Sequence, residues 1–347
     1  MIWLTWRQFR VQFLVVASVI VAAAITLAVT GPGLADDYRR LADAFLQNLA
    51  FQRFNPVLYQ VGQALLYAAP PVIGAFWGAP LIARELETGT DRLVWAQSIS
   101  RWRWLATKVG FAGLAAIVIT GLLSFAVTWW SKPIDDALNA GQDSDFYLPR
   151  MFPPTFSARG LVPIGYAAFA FALGVAVGLV VRRTLVALAI TLAAVILVEV
   201  LSPTLIRPHL LTPTDQYIVA TEENIRGFGI SGAMGNPETI RMDVAIGAVG
   251  AWKLSDQTVD KSGKVAALPA WTIDCAPELP SEDGTRIGTD KRNACFQRLA
   301  DEGYQQHVKY FTADRFWALQ WREFGLFLLV AFALTGFSFW RIRRDLS

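Results

Sequence analysis

Six long apolar runs limit what this chain can fold into more than any other feature of its sequence. A helix needs about 20 apolar residues to cross the hydrocarbon core of a bilayer. The chain is also poor in charge, with 17% charged residues against 54% hydrophobic ones, whereas soluble domains carry about 25% charge. We therefore predict an all-α polytopic membrane protein whose six transmembrane helices are residues 11–30, 57–83, 109–130, 160–181, 185–206 and 324–340.

The distribution of lysine and arginine predicts that both chain ends are cytoplasmic. With that orientation the short cytoplasmic segments hold twelve of these cations and the two shorter outer loops hold six, in agreement with the positive-inside rule. The twelve are Arg7, Arg10, Arg84, Arg92, Arg101, Arg103, Lys108, Arg182, Arg183, Arg341, Arg343 and Arg344. The first apolar run is longer than the core of a signal peptide, about 7–15 residues, so we expect a retained anchor.

A charged segment, residues 84–108, separates the second and third predicted spans. Its first residues favour a helix, and Leu86 and Leu93 recur at a spacing that puts them on one helix face. Gly89 can end that helix, and Ser98 or Ser100 can cap the next one. The pattern predicts a helix, a turn and an interfacial segment on the cytoplasmic side. A solvated loop that only satisfies the positive-inside rule fits these residues equally well.

A polar segment, residues 207–323, separates the fifth and sixth predicted spans and is long enough for a small domain. Apolar and polar residues alternate over 240–254, which predicts a strand, and 290–310 favours a helix. We therefore expect a mixed α/β extracytoplasmic domain between the fifth and sixth helices. Both cysteines of the chain, Cys275 and Cys295, lie here and predict a disulfide in an oxidising compartment. Two unrelated thiols are the alternative.

The sequence contains no motif that would make this chain a catalyst. The string 261–265, Lys-Ser-Gly-Lys-Val, lacks the first glycine and the final Ser or Thr of a nucleotide-binding loop. No Cys or His spacing is typical of a metal site, and a net charge of +3 gives no reason to expect nucleic acid. We expect a chain that is not an enzyme and holds no cofactor or metal.

Three features inside the predicted spans bear on how the helices pack and move. Pro70 and Pro71 interrupt the hydrogen-bond ladder of the second span and predict a kink, either a hinge or a tolerated bend. Glu199 lies within an apolar run, where acids often line a pathway, although an interfacial carboxylate explains it as well. Two motifs with small residues four apart permit close helix approach, within the chain or between subunits. Their glycines are Gly74, Gly78, Gly174 and Gly178.

The 84–108 segment resembles the corresponding loop of type-2 ABC exporter permeases. That family commonly has Glu-x-x-x-Gly-Thr, then a Ser/Arg turn, then a lysine at the start of the third span. The matching residues here are Glu85 to Thr90, residues 97–101 and Lys108. Residues 1–10 and 310–321 are similar to actinobacterial members. The 207–323 segment is larger than the family's short re-entrant hairpin, so its role does not follow from the resemblance.

The resemblance implies a division of labour between this chain and its partners. A separate cytoplasmic ATPase dimer would hold ATP and magnesium beneath two permease subunits, as a homodimer or a heterodimer. Residues 1–10 would form an elbow helix in the lipid interface, with Trp3 and Trp6 towards lipid and Arg7 and Arg10 towards headgroups. The residues that would couple to the ATPase are Arg84, Glu85, Leu86, Glu87, Thr88, Gly89, Thr90, Asp91 and Arg92.

These observations favour a permease that exports an amphipathic or hydrophobic substrate, such as a drug, antibiotic, lipid or peptide. Its regions would be the elbow 1–10, spans one to five in 11–206 with the coupling loop 84–108, the extracytoplasmic domain 207–323, and the last span and tail 324–347. The alternative is a non-transporting membrane sensor whose extracytoplasmic domain binds a ligand. An intramembrane enzyme is a remote third reading because the spans offer no acid/base pair.

Overall fold

The chain folds into two compact units. The computed structural model describes residues 2–52, 54–89, 100–233, 236–275 and 289–344. One unit combines Met1–Leu211 with Asp314–Ser347, and the other is Thr212–Ala313. The second unit is shorter than the predicted domain 207–323, because residues at both ends of that segment pack within the first unit.

Within the described residues, six helical stretches of the first unit are long and apolar enough to cross a membrane. They are Phe13–Phe51, Phe54–Thr88, Arg101–Asn139, Val162–Val181, Thr184–His209 and Ala313–Arg344, and we call them the first to sixth spans. Most extend beyond the predicted apolar runs, because polar and aromatic residues at their ends continue the helical hydrogen bonds.

Two of the spans contain a π-helical turn. The second span consists of Phe54–Val72, a π turn at Ile73–Gly78 and Ala79–Thr88. The fifth consists of Thr184–Leu201 followed by a π turn at Ser202–Ile206. The second of these turns contains a proline, and the first begins two residues after one. Proline cannot donate a backbone hydrogen bond and therefore favours a local change of helical pitch.

The first span begins as one unbroken helix, Ile2–Leu41. The sequence predicted a separate elbow helix over residues 1–10, but residues 2–10 form the first part of this same helix. The side chains of residues 1–9, including Trp3, Trp6 and Arg7, lie outside the described part, whereas Arg10 is exposed. The other helical elements among the described residues are Ala42–Ala44, Phe45–Phe51, Arg101–Asn139, Pro153–Ser157, Val162–Val181, Arg207–His209, Ala270–Cys275, Thr289–Asp301, Ala313–Arg315 and Phe316–Arg344.

The fourth span lies at the centre of the first unit. In its most apolar stretch 72% of the residues are buried, compared with 11% for the first span. It contacts the second, third, fifth and sixth spans. A helix that is apolar on every side suits such a position, because all of its faces meet other apolar surfaces.

The described residues of the second unit form two small antiparallel sheets. A three-stranded sheet has the order β1-β5-β4, and β2 and β3 form a hairpin. Met242, Phe296 and Val308 belong to its buried core. The strands are β1 Thr214–Ile218, β2 Ile225–Ala233, β3 Asn236–Val244, β4 Trp252–Val259 and β5 Gln305–Phe311.

Glycines divide two elements that the sequence predicted as continuous. The predicted strand 240–254 is interrupted between β3 and β4, where Gly247 and Gly250 have φ of 65° and 68°. The predicted helix 290–310 ends at Asp301, and Gly303, with φ of 82°, turns the chain into β5. These backbone conformations favour glycine, because a Cβ would clash there.

The predicted disulfide is confirmed. Cys275 and Cys295 are bonded, with their Cα atoms 5.6 Å apart and a sequence separation of 20. The bond joins the 3₁₀ turn Ala270–Cys275 to the helix Thr289–Asp301, and Cys275 is fully buried in the core of the second unit.

Candidate functional site

The two ends of the 84–108 segment are joined by a buried ion pair. Glu85 lies near the end of the second span, and Lys108 lies near the start of the third. The Lys108 ammonium donates to Glu85 Oε1, and the side chains of Lys108 and Glu85 are only 4% and 11% exposed. The Lys108 Nζ also lies 5.1 Å from the centre of the Trp104 ring. Glu85 therefore faces the interior of this chain rather than a partner.

Glu87 connects the same segment to the fifth span. Its carboxylate accepts the backbone N–H of Thr184 at 2.9 Å, and Thr184 is the first residue of the fifth-span helix. The first amides of a helix have no partner within the helix and carry a partial positive charge. An anionic acceptor there stabilises the start of the fifth span and ties it to the second.

The other predicted coupling residues lie at the surface or outside the described part. Arg84 and Thr88 are exposed, and Leu86 packs against the apolar core. Gly89 ends the second span with φ of 69°. The residues Thr90, Asp91 and Arg92 fall outside the described residues. Ser100 then caps the third span by accepting the N–H of Arg103, as its position in the sequence predicted.

The two glycine motifs pack against each other within the chain. A Cβ at Gly78 would lie 2.5 Å from the Phe171 carbonyl oxygen, and one at Gly178 would lie 2.6 Å from the Ala79 carbonyl oxygen. A Cβ at Gly74 would lie 2.8 Å from the Ala170 carbonyl oxygen, and one at Gly174 would lie 2.3 Å from the Gly74 carbonyl oxygen. The second and fourth spans therefore pack backbone to backbone, and all four glycines lie in this contact within the chain.

Pro70 and Pro71 lie one residue before the π turn of the second span, separated from it by Val72, and both are buried. The helix continues through them to Val72. The π turn that follows the prolines changes the helical register, and it contains both Gly74 and Gly78. The irregularity thus lies next to the closest contact between the spans.

A second buried polar cluster joins the fourth, fifth and sixth spans. Arg207 Nε lies 2.7 Å from Glu323 Oε2, and both side chains are fully buried. Glu323 also accepts the hydroxyls of Tyr166 at 2.8 Å and Ser202 at 3.0 Å. Ser157, before the fourth span, accepts an Arg207 N–H at 2.6 Å. Hydrogen bonds to both charged groups offset the cost of removing them from water.

Sequence reasoning missed this cluster, because Arg207 and Glu323 were taken as the polar ends of the 207–323 segment. Both instead belong to the helical unit. A usable signal was present: a single arginine and a single glutamate end apolar runs that reach the same side of the membrane. Asp135 and Arg159 form a further buried pair, with 3.6 Å between Arg159 Nε and Asp135 Oδ2.

Glu199 lies on the fifth span and is partly buried. It follows Ala187, Thr191 and Val195 at intervals of four residues, and those three side chains are fully buried. Residues four apart share a helix face, so Glu199 lies next to the face of Val195, at its border with the exposed side chains of Ile196 and Val200.

The glycine-containing string 261–265 forms a turn around Asp260. The Asp260 carboxylate accepts the hydroxyl of Ser262 at 2.6 Å and its N–H at 2.7 Å, and the N–H of Lys264 at 3.1 Å. These hydrogen bonds, that of the Ser262 hydroxyl first, lower the pKa of Asp260. These N–H groups donate to a carboxylate of the chain itself, so they do not form a phosphate-binding loop.

Among the described residues, no group of three or more His, Cys, Asp or Glu is placed to hold a metal ion.

Comparison with known proteins supplies one match. The family model described as "ABC-2 membrane transporter related" matches residues 10–207, which is more than half of the chain and covers the first five spans. No curated protein and no solved structure gives a significant match. With six helices able to span a membrane, the chain belongs to the ABC-2 membrane transporter related family and is a multi-pass membrane permease of an ABC transporter.

Proposed function

We propose that this permease is the membrane subunit of an ATP-driven exporter that moves an amphipathic or hydrophobic substrate outward. A separate cytoplasmic ATPase dimer binds ATP and magnesium and docks on the 84–108 segment. Two permease subunits, identical or different, stand above it in the cell membrane with their termini in the cytoplasm. The Thr212–Ala313 unit then lies outside the membrane, where its disulfide is stable.

The buried pair of Glu85 and Lys108 is the observation that carries this proposal. A flexible loop would absorb a push from a partner by bending. Here the pair closes the segment at its base, and Glu87 holds the start of the fifth span through Thr184. Displacing the segment therefore displaces the ends of the second, third and fifth spans together.

The exposed side of the same helix supplies the docking chemistry. Arg84 and Thr88 are exposed, and Glu87 is exposed while it holds Thr184. Asp91 and Arg92 follow in the sequence. Groups of both charges on a short helix form charge-assisted hydrogen bonds with a complementary groove and fix the register of docking. Arg84 and Arg92 are therefore proposed to contact the ATPase, whereas Glu85 acts inside the permease.

Co-purification with the candidate ATPase tests the proposal. We expect the wild-type chain to retain the ATPase through size-exclusion chromatography, and Arg84→Glu/Arg92→Glu to lose it while keeping its own elution position. Lys264→Glu is the matched control, because Lys264 is an exposed cation of the second unit. Retention of the ATPase by the double variant, at wild-type ATPase rate, would contradict docking at this segment.

A further inference from the structure

The start of the third span and the end of the sixth span meet at one end of the helical unit. The ring centres of Trp102, on the third span, and Phe339, on the sixth, lie 4.2 Å apart. Phe339 packs against the apolar core, and Ile342, three residues later, is fully buried in that core. Packing therefore fixes the position of these two span ends relative to each other.

This meeting point carries an excess of arginine. Residues 101–103 and 341–345 together contain five arginines and one acid, Asp345, which lies outside the described residues. Arg103 and Arg343 are exposed, and in the part of the chain that the structure describes no carboxylate forms an ion pair with either of them. Because arginine stays protonated at every physiological pH, this surface attracts an anion.

Two exposed tryptophans place the same surface at the level of the lipid headgroups. Trp102 and Trp340 are 47% and 50% exposed, and tryptophans at span ends prefer the boundary between lipid and water. Each ring also holds an arginine. Arg343 Cζ lies 5.1 Å from the centre of the Trp102 ring, and Arg344 Cζ lies 5.5 Å from that of Trp340. A cation–π contact restrains a guanidinium without using its N–H donors, so these arginines are held at headgroup depth with donors for an acceptor.

We propose that Arg343 and Arg344, held by the Trp102 and Trp340 rings, form a binding site for the headgroup of an anionic phospholipid. The planar guanidinium of arginine donates two parallel N–H groups to one phosphate. The acyl chains of the lipid meet exposed apolar side chains of the sixth span, such as Phe337, whose ring centre lies 5.9 Å from that of Trp340. A zwitterionic lipid offers the same phosphate, but the arginines repel its choline group. The inference needs neither the ATPase nor a direction of transport.

Competition between two lipids tests the site on the purified chain in detergent. Phosphatidylglycerol and phosphatidylcholine with identical acyl chains are added in equal amounts, and native mass spectrometry measures how much of each the chain retains. We expect the wild-type chain to prefer phosphatidylglycerol, and Arg343→Gln/Arg344→Gln to lower the preference about tenfold. Arg182→Gln/Arg183→Gln is the matched control, because it removes two cations from the turn between the fourth and fifth spans. It should keep the wild-type preference.

The Trp102→Leu variant separates a defined site from a surface that is only charged. It removes the ring that holds Arg343 and leaves every charge in place. We expect it to weaken the preference for phosphatidylglycerol, and Trp102→Phe to weaken it less, because phenylalanine still offers an aromatic face.

Four results would overturn the site. They are a wild-type chain without lipid preference, an equal loss of preference in the two arginine double variants, a preference that Trp102→Leu leaves unchanged, and release of phosphatidylglycerol by excess glycerol phosphate. The last result would identify a site for soluble anions rather than for a lipid. If Arg343→Gln/Arg344→Gln instead loses the ATPase on co-purification and keeps its lipid preference, the surface binds a protein and the proposal is also overturned.

Discussion

The ammonium of Lys108 and the carboxylate of Glu85 form an ion pair in the protein interior, although 23 residues separate them in sequence. The pair fixes the distance between the end of the second span and the start of the third. It also explains why Glu85 and Lys108 are buried, which a role in docking a partner would not explain.

Removing one member of this pair should destabilise the chain far more than removing both. Glu85→Ala leaves a buried ammonium without a counter-charge, which costs about 3–5 kcal/mol. The neutral pair Glu85→Gln/Lys108→Met should recover most of that loss, because it leaves no buried charge. Thermal unfolding in detergent measures both effects. Equal stability of the single and double variants would show that the two charges do not interact.

The glycine contact between the second and fourth spans should not tolerate a methyl group. Gly78→Ala places a Cβ about 2.5 Å from the Phe171 carbonyl oxygen, so we expect a loss of about 1–3 kcal/mol from overpacking. Gly110→Ala is the matched control, since a Cβ there meets nothing within 4 Å. That change should be neutral or stabilise the third span by up to ~1 kcal/mol. Thermal unfolding ranks the two variants, and the reverse order would contradict the packing.

The disulfide should stabilise the second unit by about 3 kcal/mol, because it closes a loop of roughly 20 residues. Cys275→Ala/Cys295→Ala should make this unit more sensitive to limited proteolysis. A reducing agent should sensitise the wild-type chain to the same extent and leave the double variant unchanged. A wild-type chain that resists reduction and proteolysis as well as before would mean that the bond contributes little.

The turn at Asp260 should weaken in acid. Its hydrogen bonds, that of the Ser262 hydroxyl above all, lower the pKa of Asp260 in the folded chain. A lowered folded pKa contributes stability that is present above the unfolded pKa, about 3.9. That contribution is lost as the pH falls through the folded value. Asp260→Asn keeps an oxygen acceptor but does not titrate. The difference in thermal unfolding between wild type and Asp260→Asn should therefore shrink from pH 6 to pH 3, and a constant difference would refute it.

The sequence was sufficient for features that depend on composition along the chain. Each membrane span requires a long run of apolar residues, so the six helices were predictable from the sequence. Their polar ends were not. Cys275 and Cys295 left a single pairing. The glycine motifs predicted that helices approach closely but not which helices do so. A periodic pattern identifies a face of one helix, but it does not identify the helix that packs against that face.

The polar partnerships were beyond sequence reasoning. Arg207 and Glu323 are 116 residues apart, and each taken alone has the composition of a loop boundary. Glu85 was assigned to a docking helix, and its pairing with Lys108 was not predicted. In both cases the deciding fact is the packing of spans that are distant in the chain, which no local pattern records.

The contact between Gly78 and Phe171 has a consequence for any change of shape in this permease. Two backbones that touch directly have no side chains to repack, so they cannot slide past one another without first separating. The second and fourth spans therefore behave as a single rigid body at this crossing. Rearrangement during a transport cycle therefore has to take place between other helices.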